Sequence, residues 1–209
     1  MRSLTLAIAS LLFITFTGNA QNIKKTPKVK YTKPFTVELG GDILYSNTSY
    51  HYESTGGTYN ESYDYTDNLF SVDANAGIFV INGLKLGIEP TITVTIYSGG
   101  NTSTQLGLYF VPEYVFNTKS IVYPYIGGSI GYTYKKHYND IGISPTADGL
   151  SYGAKAGLKV NFFGNSLLNF GFTFYSENYN STYNTIYTTY DNKTRYDRVA
   201  LTLGWSVFF

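Results

Sequence analysis

The sequence predicts an all-β chain: eight antiparallel strands joined in sequential hairpins and closed into an up-and-down transmembrane β-barrel. Three observations carry that prediction. The first is the stretch from Arg195 to Phe209, which alternates with a period of two. Val199, Leu201, Leu203, Trp205, Val207 and Phe209 fall on one face; Arg198, Ala200, Thr202, Gly204, Ser206 and Phe208 fall on the other. That period marks a strand whose faces meet two environments, as lipid outside and a polar lumen inside would provide. The second is that no stretch after residue 20 approaches the roughly 20 apolar residues of a spanning helix. A membrane crossing beyond that point needs strands in a closed barrel, where every backbone group is paired. The third is a rhythm of alternating segments whose connections are long or polar, then short, in turn.

Composition agrees. Charged residues make up 14% of the 209-residue chain, against about a quarter in an average soluble domain. Twenty-two tyrosines are too many for a soluble core, but Tyr is amphipathic and favours membrane interfaces. A net charge of +1 offers no broad basic field for nucleic acid. The absence of cysteine removes disulfides, thiol chemistry and cysteine-held metals, and with them a lipid-modified cysteine anchor.

Residues 1–20 read as a secretory signal peptide. Arg2 supplies the positive start, Leu4 to Phe16 the apolar run, and Gly18-Asn19-Ala20 the small residues before a cut. Residues 21–34, with Lys24, Lys25, Lys28, Lys30 and Lys33, read as a basic, solvated periplasmic leader. The barrel is expected over 35–209.

Its first strand sets Phe35, Val37, Leu39, Ile43 and Tyr45 outward, against Glu38 and Asp42. A polar, Tyr-rich stretch from Ser46 to Asn68 reads as a loop. Strand two sets Phe70, Val72, Ala74, Ala76, Ile78 and Val80 outward, against Ser71 and Asp73. Asn82-Gly83 is the strongest short hairpin signal in the chain. Strand three returns through Leu84, Leu86, Ile88, Pro90, Ile92, Val94 and Ile96, against Lys85 and Glu89. After Ser98 to Thr104, strand four runs through Leu106, Leu108, Phe110, Pro112, Tyr114 and Phe116, against Glu113. Strand five follows the turn at Asn117 to Ser120 and shows Val122, Pro124, Ile126, Ile130, Tyr132 and Tyr134. Lys135 to Gly149 reads as a second loop. Strand six alternates Leu150, Tyr152, Ala154, Ala156, Leu158, Val160 and Phe162 with Lys155 and Lys159. Phe163 to Ser166 turns into strand seven, with Leu168, Phe170, Phe172 and Phe174 outward. Ser176 to Thr194 reads as a third loop before the last strand. Pro90, Pro112 and Pro124 lack a ladder donor, so bulges or strand ends are expected there.

Every charge in the strands so drawn falls on the polar face. Glu38, Asp42, Asp73, Lys85, Glu89, Glu113, Lys155, Lys159 and Arg198 therefore form the predicted lumen network. An Arg or Lys at the lipid midplane would cost about 2–4 kcal/mol. An eight-stranded barrel is just wide enough for its own side chains, so near balance between acids and bases predicts a paired plug. A conducting pathway through that network is the alternative.

The segment Pro124-Tyr125-Ile126-Gly127-Gly128-Ser129-Ile130-Gly131-Tyr132 and the terminal Trp205-Ser206-Val207-Phe208-Phe209 carry a family likeness. With the export signal and hairpin rhythm, they make the chain resemble the small outer-membrane β-barrel superfamily, the eight-stranded OmpA/OmpX type. The resemblance implies that Leu201, Leu203, Trp205, Val207 and Phe209 are the signal read by the barrel-insertion machinery. It also implies a place in the outer membrane of a Gram-negative-type cell, in contact with outer-membrane lipid. Short turns on the periplasmic side and longer external loops then put both termini in the periplasm.

The resemblance is weak for activity, because such barrels host several functions. His51, with Glu53 and Ser54, and His137, with Asp140, show no triad spacing. Glu53, Glu61, Asp64 and Asp67 are too dispersed for a compact calcium loop. No catalytic, cofactor or metal residue is assigned from sequence, and the chain is expected not to be an enzyme. The expected role is structural or surface-interactive, through loops whose Tyr, Asn, Ser and Thr content suits adaptable contact with an external ligand or partner. A narrow pore or small-solute transporter is the second reading, and a loop-borne lipid-modifying enzyme the third.

Overall fold

The computed structural model describes the backbone of residues 31–55, 60–98, 101–118, 120–138, 146–184 and 189–209. Side chains are described for 31–47, 66–98, 101–118, 120–137, 146–179 and 195–209. The expected signal peptide and most of the expected leader lie outside these residues. Eight strands follow in chain order: β1 (Val37–Thr55), β2 (Asn60–Ile81), β3 (Leu84–Ile96), β4 (Thr102–Val115), β5 (Val122–Tyr138), β6 (Thr146–Phe163), β7 (Ser166–Asn184) and β8 (Thr189–Phe208). Each pairs antiparallel with the next, and β8 returns to β1, so the sheet is a closed barrel. Backbone bonds between Val37 and Phe209, at 3.1 and 2.9 Å, finish the seam.

The period-two pattern sorts the faces as expected. Leu39, Ile43, Phe70, Val72, Ile88, Ile92, Leu106, Leu108, Ile126, Ile130, Phe172, Leu201 and Trp205 are exposed on the outer wall. No charged residue stands in the outward rows between Leu39 and Tyr45, Phe70 and Ile78, Ile88 and Ile96, Leu106 and Phe116, Ile126 and Tyr134, or Val199 and Phe209. So continuous an apolar wall far exceeds the patches tolerated on soluble monomers. Exposed aromatics stand at both ends of the outer wall as well as along it, as at Phe110 and Phe172. Phe116, Phe163 and Phe209 stand at the end with the short turns, and Tyr45, Tyr132, Tyr134 and Tyr152 toward the opposite, hairpin end. Girdles of this kind mark membrane–water interfaces.

Strand length departs from expectation. β1, β2, β7 and β8 run 19, 22, 19 and 20 residues, about twice the 9–11 that a crossing needs. The stretches read as loops at 46–68 and 176–194 are largely ladder. β1 and β2 stay in register from Ser46↔Leu69 to Thr55↔Asn60, and β7 and β8 up to Asn184↔Thr189. Much of the 135–149 stretch is also strand, with Lys136 opposite Thr146. Tyr and Thr favour strands whether or not lipid covers one face. A criterion of apolar alternation therefore stops where the membrane stops, while the hairpin continues.

The prolines also differ from expectation. Pro90 pairs with Leu108, Pro112 with Leu86 and Pro124 with Leu158, without a register shift at any of them. The β2–β3 ladder instead skips the rungs of Ala74 and Asn75 beside Pro90, and the β4–β5 ladder those of Val111 and Pro112. A missing donor thus removes local rungs while the flanking pairs hold register. The register shifts fall at Phe79/Ile81 and Asn161/Phe163, next to turns where Gly83 and Gly164 take positive φ of 88° and 54°, a conformation open to glycine.

Small residues inside make room for large ones. A Cβ on Gly131 would lie 2.7 Å from Cδ1 of Tyr109, and one on Gly77 would lie 2.9 Å from Cδ of Lys85. In so narrow a barrel, the Tyr109 ring and the Lys85 stem take the space these glycines leave.

Candidate functional site

The candidate site is the lumen, filled in layers from the turn end to the hairpin end. At the turn end, Tyr31, Phe79, Val115, Tyr125, Leu167 and Phe208 form an apolar stopper. Tyr31 meets Phe79 edge-on at 5.1 Å and Phe208 at 4.8 Å between ring centres. Its neighbour Thr32 ties the segment to the β2–β3 turn: the Thr32 carbonyl accepts from Gly83 N–H at 3.0 Å, and its hydroxyl donates to Asn82 Oδ1 at 2.9 Å. The compact unit accordingly begins at Tyr31, inside the stretch expected to be leader. Nothing in the sequence around Tyr31 alternates, which is why its packing was not legible there. The Tyr31 hydroxyl donates to Glu38 Oε2. Burial first, and the Glu38 charge second, push that hydroxyl well above its ordinary pKa, so it remains a donor.

Directly above lies a closed ionic tetrad. Lys85 Nζ stands 3.0 Å from Glu38 Oε1 and 3.1 Å from Glu113 Oε1; Lys159 Nζ stands 2.7 Å from each of the same oxygens. All four side chains are at most 6% exposed. β1, β3, β4 and β6 supply one member each, so the tetrad bolts across the barrel. Lys159 Nζ also lies 5.2 Å from the centre of the Tyr125 ring, a favourable cation–π position. Two acids against two bases leave no net charge, which is what lets ions this deep offset their desolvation.

The next layer is unbalanced. Asp42, Asp73 and Glu89 each offer a carboxylate oxygen, all within 4.8 Å of one another, against one ammonium, Lys155, which pairs with Glu89. Asp42 N–H donates to Asp73 Oδ1 at 3.1 Å, and Asn169 Nδ2 to Asp42 Oδ1 at 3.4 Å. A cavity of about 20 Å³ adjoins both layers, lined by Asp42, Asn75, Glu89, Lys155 and Asn169 and also by Lys85, Glu113 and Lys159 of the tetrad. That is room for about one water-sized sphere.

Toward the hairpin end, Leu44, Tyr109, Val111, Tyr175 and Ala200 form a second apolar cluster. Glu177 then pairs with Arg198 and accepts from Gln105 Nε2 at 2.6 Å. Lys135, 2% exposed, lies 5.7, 5.4 and 4.5 Å from the ring centres of Tyr97, Tyr179 and Tyr196.

The nine residues singled out from sequence thus fall into two groups of four, with Arg198 apart. Glu38, Lys85, Glu113 and Lys159 meet in one layer; Asp42, Asp73, Glu89 and Lys155 meet in the other. Glu177 and Lys135 lie in stretches taken as loops, although strict alternation continued through 177 and 135 would have found them; Gln105 falls on the polar face of strand four, as alternation requires, but carries no charge and so was not counted in the network. Leu201, Leu203, Trp205 and Phe209 are exposed on the outer wall, and Val207 is half-buried on the same face. The His137 ring stacks on Tyr97 at 6.0 Å. Asp140 and the side chains of His51, Glu53, Ser54, Glu61 and Asp64 lie outside the described residues.

No family model matches the sequence, and no curated protein sequence matches it. Solved structures do match the fold. Neisserial surface protein A is 18% identical, with 83% of this chain and 97% of that one covered and a TM-score of 0.57. The outer membrane protein OprG from Pseudomonas aeruginosa is 14% identical, over 85% and 97%, with a TM-score of 0.56. The outer membrane protein AlkL, determined in DMPC lipid bilayers, is 15% identical, over 91% and 96%, with a TM-score of 0.55. The chain has the fold of the small eight-stranded outer-membrane barrels.

Proposed function

We propose that the protein is an outer-membrane barrel of a Gram-negative-type cell, with a sealed lumen and a structural or surface-contact role. The observation that carries this reading is the filled interior. An aromatic stopper and a neutral four-membered ion network cross the barrel in succession at the turn end, and a further ionic layer follows at the hairpin end. Turns of few residues at one end and extended hairpins at the other support a periplasmic turn end. Residues 1–20 act as the export signal in this reading. The outward row ending at Phe209 is presented to the insertion machinery.

The extended hairpins, rich in Tyr, Asn, Ser and Thr, form the surface offered to an external partner. The protein is read as non-enzymatic, with His137, stacked on Tyr97 and paired in register with Ser103, taken as a packed side chain of its hairpin. Planar-bilayer recording of the purified chain tests the sealed lumen. The expected trace is silent, and steady openings would establish the narrow-pore alternative in its place. A chain with 47–66 and 180–194 replaced by short turns tests the surface role. Loss of cell-surface attachment with retained barrel folding is expected; unchanged attachment would remove that role.

A further inference from the structure

We propose that the mid-lumen layer is a binding site for one calcium ion, held by Asp42, Asp73 and Glu89. Three observations converge on it. The first is charge: three carboxylates face one ammonium, Lys155, and with all three ionised the excess of two negative charges is what one divalent cation brings to zero. The tetrad next to it needs no such ion, because its acids and bases match.

The second is a set of oxygens without hydrogen-bond partners at this level: Asp73 Oδ2, Asn75 Oδ1, Glu89 Oε1, Thr91 Oγ1 and Asn169 Oδ1. Thr91 and Asn169 are 8% and 3% exposed. Thr91 sits in register opposite Asp73 and on the same face of β3 as Glu89. Asn169 lines the same cavity as Asp42 and Glu89, with its Nδ2 on Asp42 and its Oδ1 at the other corner of the amide. Buried oxygens are rarely left unpaired in folded proteins, and hydroxyl and amide oxygens beside carboxylates are hard-cation ligands. The skipped ladder rungs beside Pro90 fall at Asn75, where the strand gives up regular pairing next to the cavity.

The third is size. Calcium–oxygen distances of about 2.3–2.6 Å let ligand atoms on opposite sides stand roughly 4.6–5.2 Å apart, and the carboxylate oxygens lie within 4.8 Å. Magnesium keeps several of its waters and needs near-ideal octahedral geometry. The cavity beside Asp42 and Glu89, about 20 Å³, has no space for that hydration shell. With no nitrogen or sulfur ligand among the six oxygen-bearing residues, zinc has no claim on the site. This site is independent of whatever the hairpin end contacts.

The test is calcium stoichiometry of the full chain, purified folded in detergent, stripped with EDTA and dialysed against radioactive Ca²⁺. The wild type is expected to hold one ion more than Asp73→Asn, with affinity at least tenfold weaker in the variant, and the Asp64→Asn control unchanged. Circular dichroism and resistance to unfolding in cold SDS verify that each variant is folded. Infrared spectra of the stripped protein provide a second readout, in which adding Ca²⁺ shifts carboxylate bands in the wild type and not in Asp73→Asn. Equal calcium content in wild type and Asp73→Asn would overturn the proposal. So would a protonated-acid carbonyl band, absent from Asp73→Asn, that Ca²⁺ leaves untouched, because protons would then fill the place given to the metal. Equal displacement by Mg²⁺ at the same concentration would overturn the choice of calcium.

Discussion

Two adjacent layers of one lumen solve the burial of charge in opposite ways. In the tetrad, Glu38 and Glu113 each touch both Lys85 and Lys159, so each charge has a partner on two sides. In the layer above, Asp42, Asp73 and Glu89 share the single ammonium of Lys155. The first layer is complete within the chain; the second is complete only with something added. Overall charge balance hides this difference, since five acids and four bases look nearly paired when counted along the strands. What decides the chemistry is how they are distributed among layers.

The largest break in this comparison comes from Lys159→Met. It leaves two buried carboxylates on one remaining ammonium, and unfolding in urea and lipid vesicles should reveal a loss of about 3–5 kcal/mol. A loss below 1 kcal/mol would mean that the tetrad is not a mutually dependent unit. Next is Tyr31→Phe, which keeps the ring in the stopper and removes the donor to Glu38. A hydrogen bond to a charged group contributes about 1.5–3 kcal/mol, and the same assay should register that range. If residues 31–34 behave as a solvated leader, the substitution will have no effect.

The sharpest contrast comes from making the same acid-to-amide change in both layers. Glu113→Gln should destabilise by about 1–3 kcal/mol, because it strips a counter-charge from both lysines. Asp73→Asn, measured in chelator, should stay within about 0.5 kcal/mol of wild type or be more stable, because it relieves an excess of acid. Equal losses at the two sites would erase the distinction between the layers.

Much of this architecture was legible in the sequence because a barrel wall has two chemically unlike faces. A one-residue slip would turn Glu38, Asp42 and Lys85 into lipid, so the register of their strands has one tolerable solution. The ends were harder to read. Above the membrane both faces of a hairpin meet water, apolar alternation ceases, and strands such as β2 then resemble loops. Tyr31 was hidden for another reason: its burial depends on a mouth formed by Phe79, Val115 and Phe208, residues far apart in sequence. Nor was the split of nine charges into layers readable along any strand. It arises from where β1, β2, β3, β4 and β6 set their side chains across the lumen, where sequence distance carries no information.

The account rests on the outer wall meeting acyl chains, and Trp205, the only tryptophan in the chain, reports on that directly. It is 53% exposed on the outward row of β8. In vesicles carrying brominated acyl chains, its fluorescence should be strongly quenched, while aqueous iodide should leave it unchanged. Quenching by iodide without quenching by brominated lipid would place this face in water and contradict the account.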